Sequence, residues 1–170
     1  MMKYYIAWLP AILVMAVIFF FSSKPAVDSA ESSLSISDVI LKAYEVISDT
    51  EIRGEDREER LLVLDHIVRK SAHFLEYAVL SAAIALPLWI RKYRGFKLLL
   101  LAVFSTALYA STDEFHQLFV SGRSGEPKDV LIDTAGALFG VLFFLVLSRV
   151  FKHKNGVQPD NSITDKTYKY

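Results

Sequence analysis

Asp113-Glu114-Phe115-His116-Gln117 and, twelve residues on, Asp129-Val130-Leu131-Ile132-Asp133 decide how this chain is read. The two stretches bound a short polar loop between apolar runs at 96–112 and 130–151. At about 1.5 Å of rise per residue, helices of this length cross the hydrocarbon core of a bilayer. Carboxylates, a histidine, an amide and an arginine thus fall within 21 residues, next to hydrocarbon. Ionisable groups at membrane depth are costly, so they suggest a site.

Composition agrees with a membrane protein. Of 170 residues, 53% are hydrophobic, and the chain is one domain long. The absence of cysteine excludes disulfides, cysteine nucleophiles, thiolate metal sites and a lipoprotein anchor. Nineteen basic and nineteen acidic residues cancel, which gives no bulk attraction to nucleic acid.

Outward from the loop, two more spans are predicted. The run at 4–22, preceded by Lys3, is too long and too bulky near Phe19-Phe20-Phe21 for a cleaved leader, so it reads as an anchor. Pro10 is positioned to kink it. No breaker separates Asp56 from Pro87, which predicts one long helix whose second part, 72–90, spans. His66, Arg69, His73 and Glu76 form a stripe on it at steps of three and four. Between these spans, 23–71 is an extramembrane loop. Within it Ser35 caps a short amphipathic helix that carries Val39, Ile40, Ala43, Val46 and Ile47 on one face. That helix is expected on the membrane surface or over the other helices. In the fourth span Asp129, Asp133, Gly136 and Gly140 share a stripe, and the GxxxG at Gly136–Gly140 permits close helix contact.

Charge gives a topology. The short turn 91–97 carries +4 and the tail from Arg149 carries +3, whereas the loop 24–70 carries −4 and 113–133 carries −3. By the positive-inside rule the basic segments are cytoplasmic. The expected fold is therefore all-α. It is an integral membrane bundle of four transmembrane helices in a domain over 1–151, with an amphipathic extracytoplasmic helix. Both termini are cytoplasmic, and a flexible cytoplasmic tail occupies 152–170. In such a bundle Ser22, His73 and Glu76, Asp113–Gln117, and Asp129 and Asp133 all meet at the outer end.

In order and spacing, five segments resemble the VanZ-like family. They are Phe21-Ser22-Ser23-Lys24-Pro25, Arg69-Lys70-Ser71-Ala72-His73-Phe74-Leu75-Glu76-Tyr77, Asp113-Glu114-Phe115-His116-Gln117, Gly122-Arg123-Ser124-Gly125 and Asp129-Val130-Leu131-Ile132-Asp133-Thr134-Ala135-Gly136. The resemblance covers most of 5–150. It implies a multi-pass protein of the bacterial plasma membrane. It also implies a link to resistance against the glycopeptide teicoplanin, and kinship with membrane-embedded enzymes that act on phosphate-containing lipid headgroups.

The residues suit such chemistry. Arg123 offers a planar fork of donors for a phosphate or pyrophosphate, and Arg69 or Lys70 adds positive charge. His73 is a candidate nucleophile or general acid–base, with Glu76 to orient it and Asp113 and His116 as further catalytic groups. Glu114, Gln117 and Ser22 are candidate substrate-binding groups. Asp113, Asp129 and Asp133 are candidate ligands for Mg2+ or Ca2+. The expected activity is hydrolysis or transfer at the phosphate of a membrane lipid or a lipid-linked cell-wall precursor. The second reading is a non-catalytic module that binds such a precursor or a glycopeptide antibiotic. A carrier is disfavoured by apolar span centres and the absence of a repeat. Plainer roles compete residue by residue: a structural His73–Glu76 ion pair, Asp129 as a helix-start acid, and interhelix packing for Thr106 and Tyr109.

Overall fold

In a computed structural model, which describes residues 2–155, every regular element is helical. The helices are α1 (Met2–Ile6), α2 (Leu9–Ser22), α3 (Ala26–Ser48), α4 (Glu55–Ile90), α5 (Gly95–Gln117) and α6 (Pro127–Asn155). Four stretches are long and apolar enough to cross a membrane: Tyr4–Ser22, Glu55–Ile90, Gly95–Gln117 and Pro127–Val150. The expected all-α, four-span architecture is therefore present. Of the expected tail, 152–155 continue α6, and 156–170 lie outside the described residues.

Pro10 divides the first span as its chemistry requires. It has no N–H to give to the preceding turn, and the helix breaks between Ile6 and Leu9. Pro10 then sits in the opening turn of α2, where a missing donor costs nothing. Pro87, by contrast, lies within α4, three residues from its end, and is accommodated there.

The loop between the first two spans differs from expectation. The amphipathic helix starts at Ala26, directly after Pro25, rather than at a Ser35 cap. The serines do not cap. Ser33 and Ser37 lie mid-helix, and Ser37 returns its hydroxyl to the backbone carbonyl four residues back, at 2.8 Å. They are also the buried positions, together with Leu41, and so form the face turned toward α4. Val39, Val46 and Ile47, the predicted apolar face, point outward.

The opening stretch differs too. Asp113–Gln117 is the last turn and a half of α5 and not a loop, and Asp129 belongs to the first turn of α6. The connecting segment is only 118–126. Nothing between Thr112 and Gln117 breaks a helix, and Gln117 Nε2 donates one turn back to Asp113 Oδ2 at 3.1 Å.

Small residues set the packing. Leu98, Ala102, Thr106 and Ala110, at four-residue steps, are the buried stripe of α5. On α6, Gly136 and Gly140 press against the α4 backbone at Phe74 and Ala78. Large apolar side chains such as Phe104, Leu108, Phe143 and Val146 face outward, as suits a lipid environment. With little hydrophobic drive between helices in lipid, close van der Waals contact and interhelical hydrogen bonds hold the bundle. Tyr109 supplies one such bond, donating its hydroxyl to Met15 O at 2.7 Å, so it is an interhelix strut.

Candidate functional site

The polar residues gather at the end of the bundle where α2 and α5 finish and α6 begins. A cavity of about 140 Å³ opens there between α2, α3, α4, α5 and the 118–126 segment. Ser22, Arg69, His73, Glu76, Asp113 and Arg123 line it, with Lys24, Ser29 and Ser32 on the α3 side. These six residues come from four places in the sequence, and each is among the candidates that the sequence offers. Arg69, His73 and Glu76 share the cavity because steps of three and four keep them on one face of α4. His66, the outermost member of that stripe, is exposed and lies outside the cavity. Wider recesses elsewhere, such as one lined by Ile40, Tyr44 and Val63, contain no buried carboxylate.

Asp113 is 4% exposed and is held from two directions. Tyr77 Oη donates to its Oδ2 at 3.2 Å, and Gln117 Nε2 donates to the same atom at 3.1 Å. Its Oδ1 makes no hydrogen bond among the described residues. Glu114, also buried, accepts the Glu126 backbone N–H at 2.9 Å on Oε2 and Gln117 Nε2 at 3.4 Å on Oε1. It thereby ties the connecting segment to α5. Gln117 is the joint of this network, since its Oε1 accepts from Arg123 at 3.3 Å.

Arg123 does more than face the cavity. Its Nε donates to Lys24 O at 2.9 Å and its Nη2 to Phe21 O at 3.2 Å. It satisfies carbonyls at the end of α2, where a helix leaves them unpaired. Three of its five N–H groups are thus assigned to protein oxygens. Burial lowers the guanidinium below its ordinary value, but an arginine in a protein stays charged.

Behind the cavity wall, His73 Nδ1 lies 3.6 Å from Asp133 Oδ1. That is beyond hydrogen-bond range. Asp133 is fully buried, and neither carboxylate oxygen has a hydrogen-bond partner among the described residues. Ligand atoms of His73, Glu114 and Asp133 all fall within 4.8 Å of one another.

The three carboxylates expected to share a cation have different surroundings. Asp133 groups with His73 and Glu114, Asp113 is engaged by Tyr77 and Gln117, and Asp129 forms an ion pair with Lys70. Asp129 is therefore a partner for α4 as well as a helix-start acid. Arg69 pairs with Asp65 one turn back, and Asp65 accepts from Ser33, which joins α3 to the cavity wall. His116 does not line the cavity. Its ring packs on Phe19 with centroids 4.7 Å apart.

Sequence reasoning missed Tyr77, Asp65, Ser33 and the α3 serines. Tyr77 had a usable signal: it follows Glu76 directly and lies one turn beyond His73, so its hydroxyl shares the polar end of α4. Nothing in the sequence marks Ser29 or Ser32, because their position depends on how α3 folds back along α4.

The site offers cationic donors, a histidine and buried carboxylates at one end of a bundle with an apolar exterior. A model of the VanZ/LLP1 family matches residues 7–148. No curated protein and no solved structure matches the chain. The matched stretch takes in the second and third spans whole, most of the first and fourth, and every residue of the cavity, and the chain belongs to the VanZ/LLP1 family of membrane proteins.

Proposed function

We propose that this multi-pass membrane protein binds the phosphate headgroup of a membrane or polyprenyl-linked lipid in the cavity and catalyses hydrolysis or transfer at its phosphorus. The reading places the site on the outer side of a bacterial plasma membrane, in cell-envelope metabolism or teicoplanin resistance. One observation carries it: His73, Glu76 and Asp113 share a small cavity with Arg69, Lys24 and Arg123. A binding pocket needs only the cations, whereas the added acid–base groups suit bond breaking.

Each residue has a role. Arg69 and Lys24 attract the anion, and the free donors of Arg123 orient it. A water, losing its proton to Glu76 or His73, attacks phosphorus. The bond from phosphorus to the leaving oxygen breaks, and that oxygen takes up a proton from the acid partner. Asp113, fixed by Tyr77 and Gln117, sets a carboxyl group on the cavity wall beside the arginines.

The test is turnover by purified protein in nanodiscs supplied with labelled polyprenyl diphosphate, polyprenyl phosphate or phosphatidic acid. Release of phosphate, reduced at least about 100-fold in Glu76→Gln, Asp113→Asn and Arg69→Ala, is the expected result. Retention of the labelled lipid or of teicoplanin without turnover would leave the module reading, a binder of precursor or drug.

A further inference from the structure

We infer that His73, Glu114 and Asp133, supplied by α4, α5 and α6, form a binding site for a first-row divalent cation, with Zn2+ the best match. The three ligand atoms lie within 4.8 Å of one another. Metal–ligand distances of about 2.1 Å place neighbouring ligands roughly 3.0–3.5 Å apart. The 3.6 Å between His73 Nδ1 and Asp133 Oδ1 is too long for a hydrogen bond and close to that spacing.

Asp133 supplies the independent observation. It is fully buried, both its oxygens lack a hydrogen-bond partner among the described residues, and it is aimed at His73, whose Nδ1 also lacks one. A buried carboxylate left in that state is strongly destabilising. A cation between the three groups removes the cost. Glu114 is already oriented by the Glu126 N–H and Gln117, as metal-binding carboxylates commonly are.

The donor set selects the ion. Mg2+ and Ca2+ favour all-oxygen shells, whereas an imidazole with two carboxylates suits Zn2+ or Mn2+. Three protein ligands leave a fourth position open, as in catalytic zinc sites. His73 belongs both to this trio and to the cavity wall, so the trio adjoins the cavity. This trio differs from the all-aspartate set that the sequence suggests. In its role, though not in its existence, the site rests on the proposed lipid-phosphate reaction: with His73 as a ligand, Glu76 alone takes the proton of the water and returns it to the leaving oxygen.

Tag-free full-length protein, stripped with EDTA and dialysed, is titrated calorimetrically with ZnCl2 and with MgCl2. One Zn2+ per chain is expected, with Mg2+ far weaker. Zn2+ affinity falls at least about 100-fold in His73→Gln, Glu114→Gln and Asp133→Asn, and is unchanged in His66→Ala. Titration of the wild type with Co2+ gives a readout that no variant's folding affects. Visible ligand-field bands saturating at one equivalent and displaced by Zn2+ are expected. Absence of stoichiometric Zn2+ and Co2+ binding by the wild type, or equal affinity in all three ligand variants, overturns the site. Zn2+ binding without lipid turnover keeps the site and removes the reaction. Turnover by protein that binds no Zn2+ does the reverse.

Discussion

Gly140 on α6 lies against Ala78 on α4 so closely that a Cβ added at Gly140 would come 1.9 Å from the Ala78 carbonyl oxygen. At Gly136, one turn earlier, the same atom would meet Phe74 O at 2.2 Å. Backbone cannot yield as a side-chain tip can, so the helices themselves must separate. Gly140→Ala is expected to cost at least about 1–3 kcal/mol, and Gly140→Val more, by forced overpacking. Because Gly136 and Gly140 sit just beyond Asp133, a wider α4–α6 gap also moves Asp133 from His73. Denaturation in mixed micelles measures the first effect. The second appears as weaker Zn2+ binding in Gly136→Ala, and unchanged stability in both alanine variants would refute the packing argument.

Arg123 donates to Lys24 O, Phe21 O and Gln117 Oε1, so it fastens the 118–126 segment to the end of α2. Lysine keeps the charge but cannot present a planar fork. Arg123→Lys is expected to loosen this fastening at a cost of about 1–3 kcal/mol. The Ala26 amide, which donates to Ser121 O at 3.1 Å, reports it. Its hydrogen exchange should accelerate at least tenfold, whereas a residue used only to bind substrate would leave it unchanged.

Much of this fold was legible for identifiable reasons. Span lengths follow from apolar runs and breakers, and the sharing of the cavity by Arg69, His73 and Glu76 follows from helical spacing alone. What escaped depended on tertiary contact. Ser33 and Ser37 carry no sequence signal of burial, because that burial comes from α4 packing against α3. Asp113–Gln117 looked like a loop because polar residues usually mark one, but a bundle end shields a polar helical turn as well as a loop does. His116 resembled a catalytic histidine in sequence, and only its packing on Phe19 separates it from the cavity.

Asp38 on α3 receives Lys42 at 2.7 Å and pairs with Arg57 on α4. Lys42 foremost, with Arg57, holds its carboxyl below the ordinary value of 3.8. A lowered folded-state pKa means that the contribution is present above 3.8 and is lost as pH falls through the folded value. Acid should therefore release α3 from α4 near the 49–54 turn first. Proteolysis of that turn by pepsin at graded low pH measures it. Asp38→Asn is expected to give high cleavage across the whole range, without the pH step.

Lys70 on α4 and Asp129 in the first turn of α6 form an ion pair whose side chains are 22% and 13% exposed. Removing one partner strands the other in a poorly hydrated position. Lys70→Met and Asp129→Leu are each expected to destabilise by about 2–4 kcal/mol, and the double variant by less than their sum. A double-mutant cycle in chemical denaturation gives the coupling. Additive losses would show that the pair contributes no interaction of its own.

The turn at 91–97 carries four basic residues and no acid, and the polar cavity lies at the opposite end of α5, beside the middle of the longer α4. If the basic turn faces the cytoplasm, the cavity faces outward, and substrate is drawn from the outer leaflet. The chain contains no cysteine, so single cysteines can be read against a clean background. Ser124→Cys, exposed in the 118–126 segment, is expected to react with a membrane-impermeant maleimide in intact cells. Lys92→Cys is expected to react only after permeabilisation. The converse pattern would put the cavity in the cytoplasm and exclude an outer-leaflet substrate.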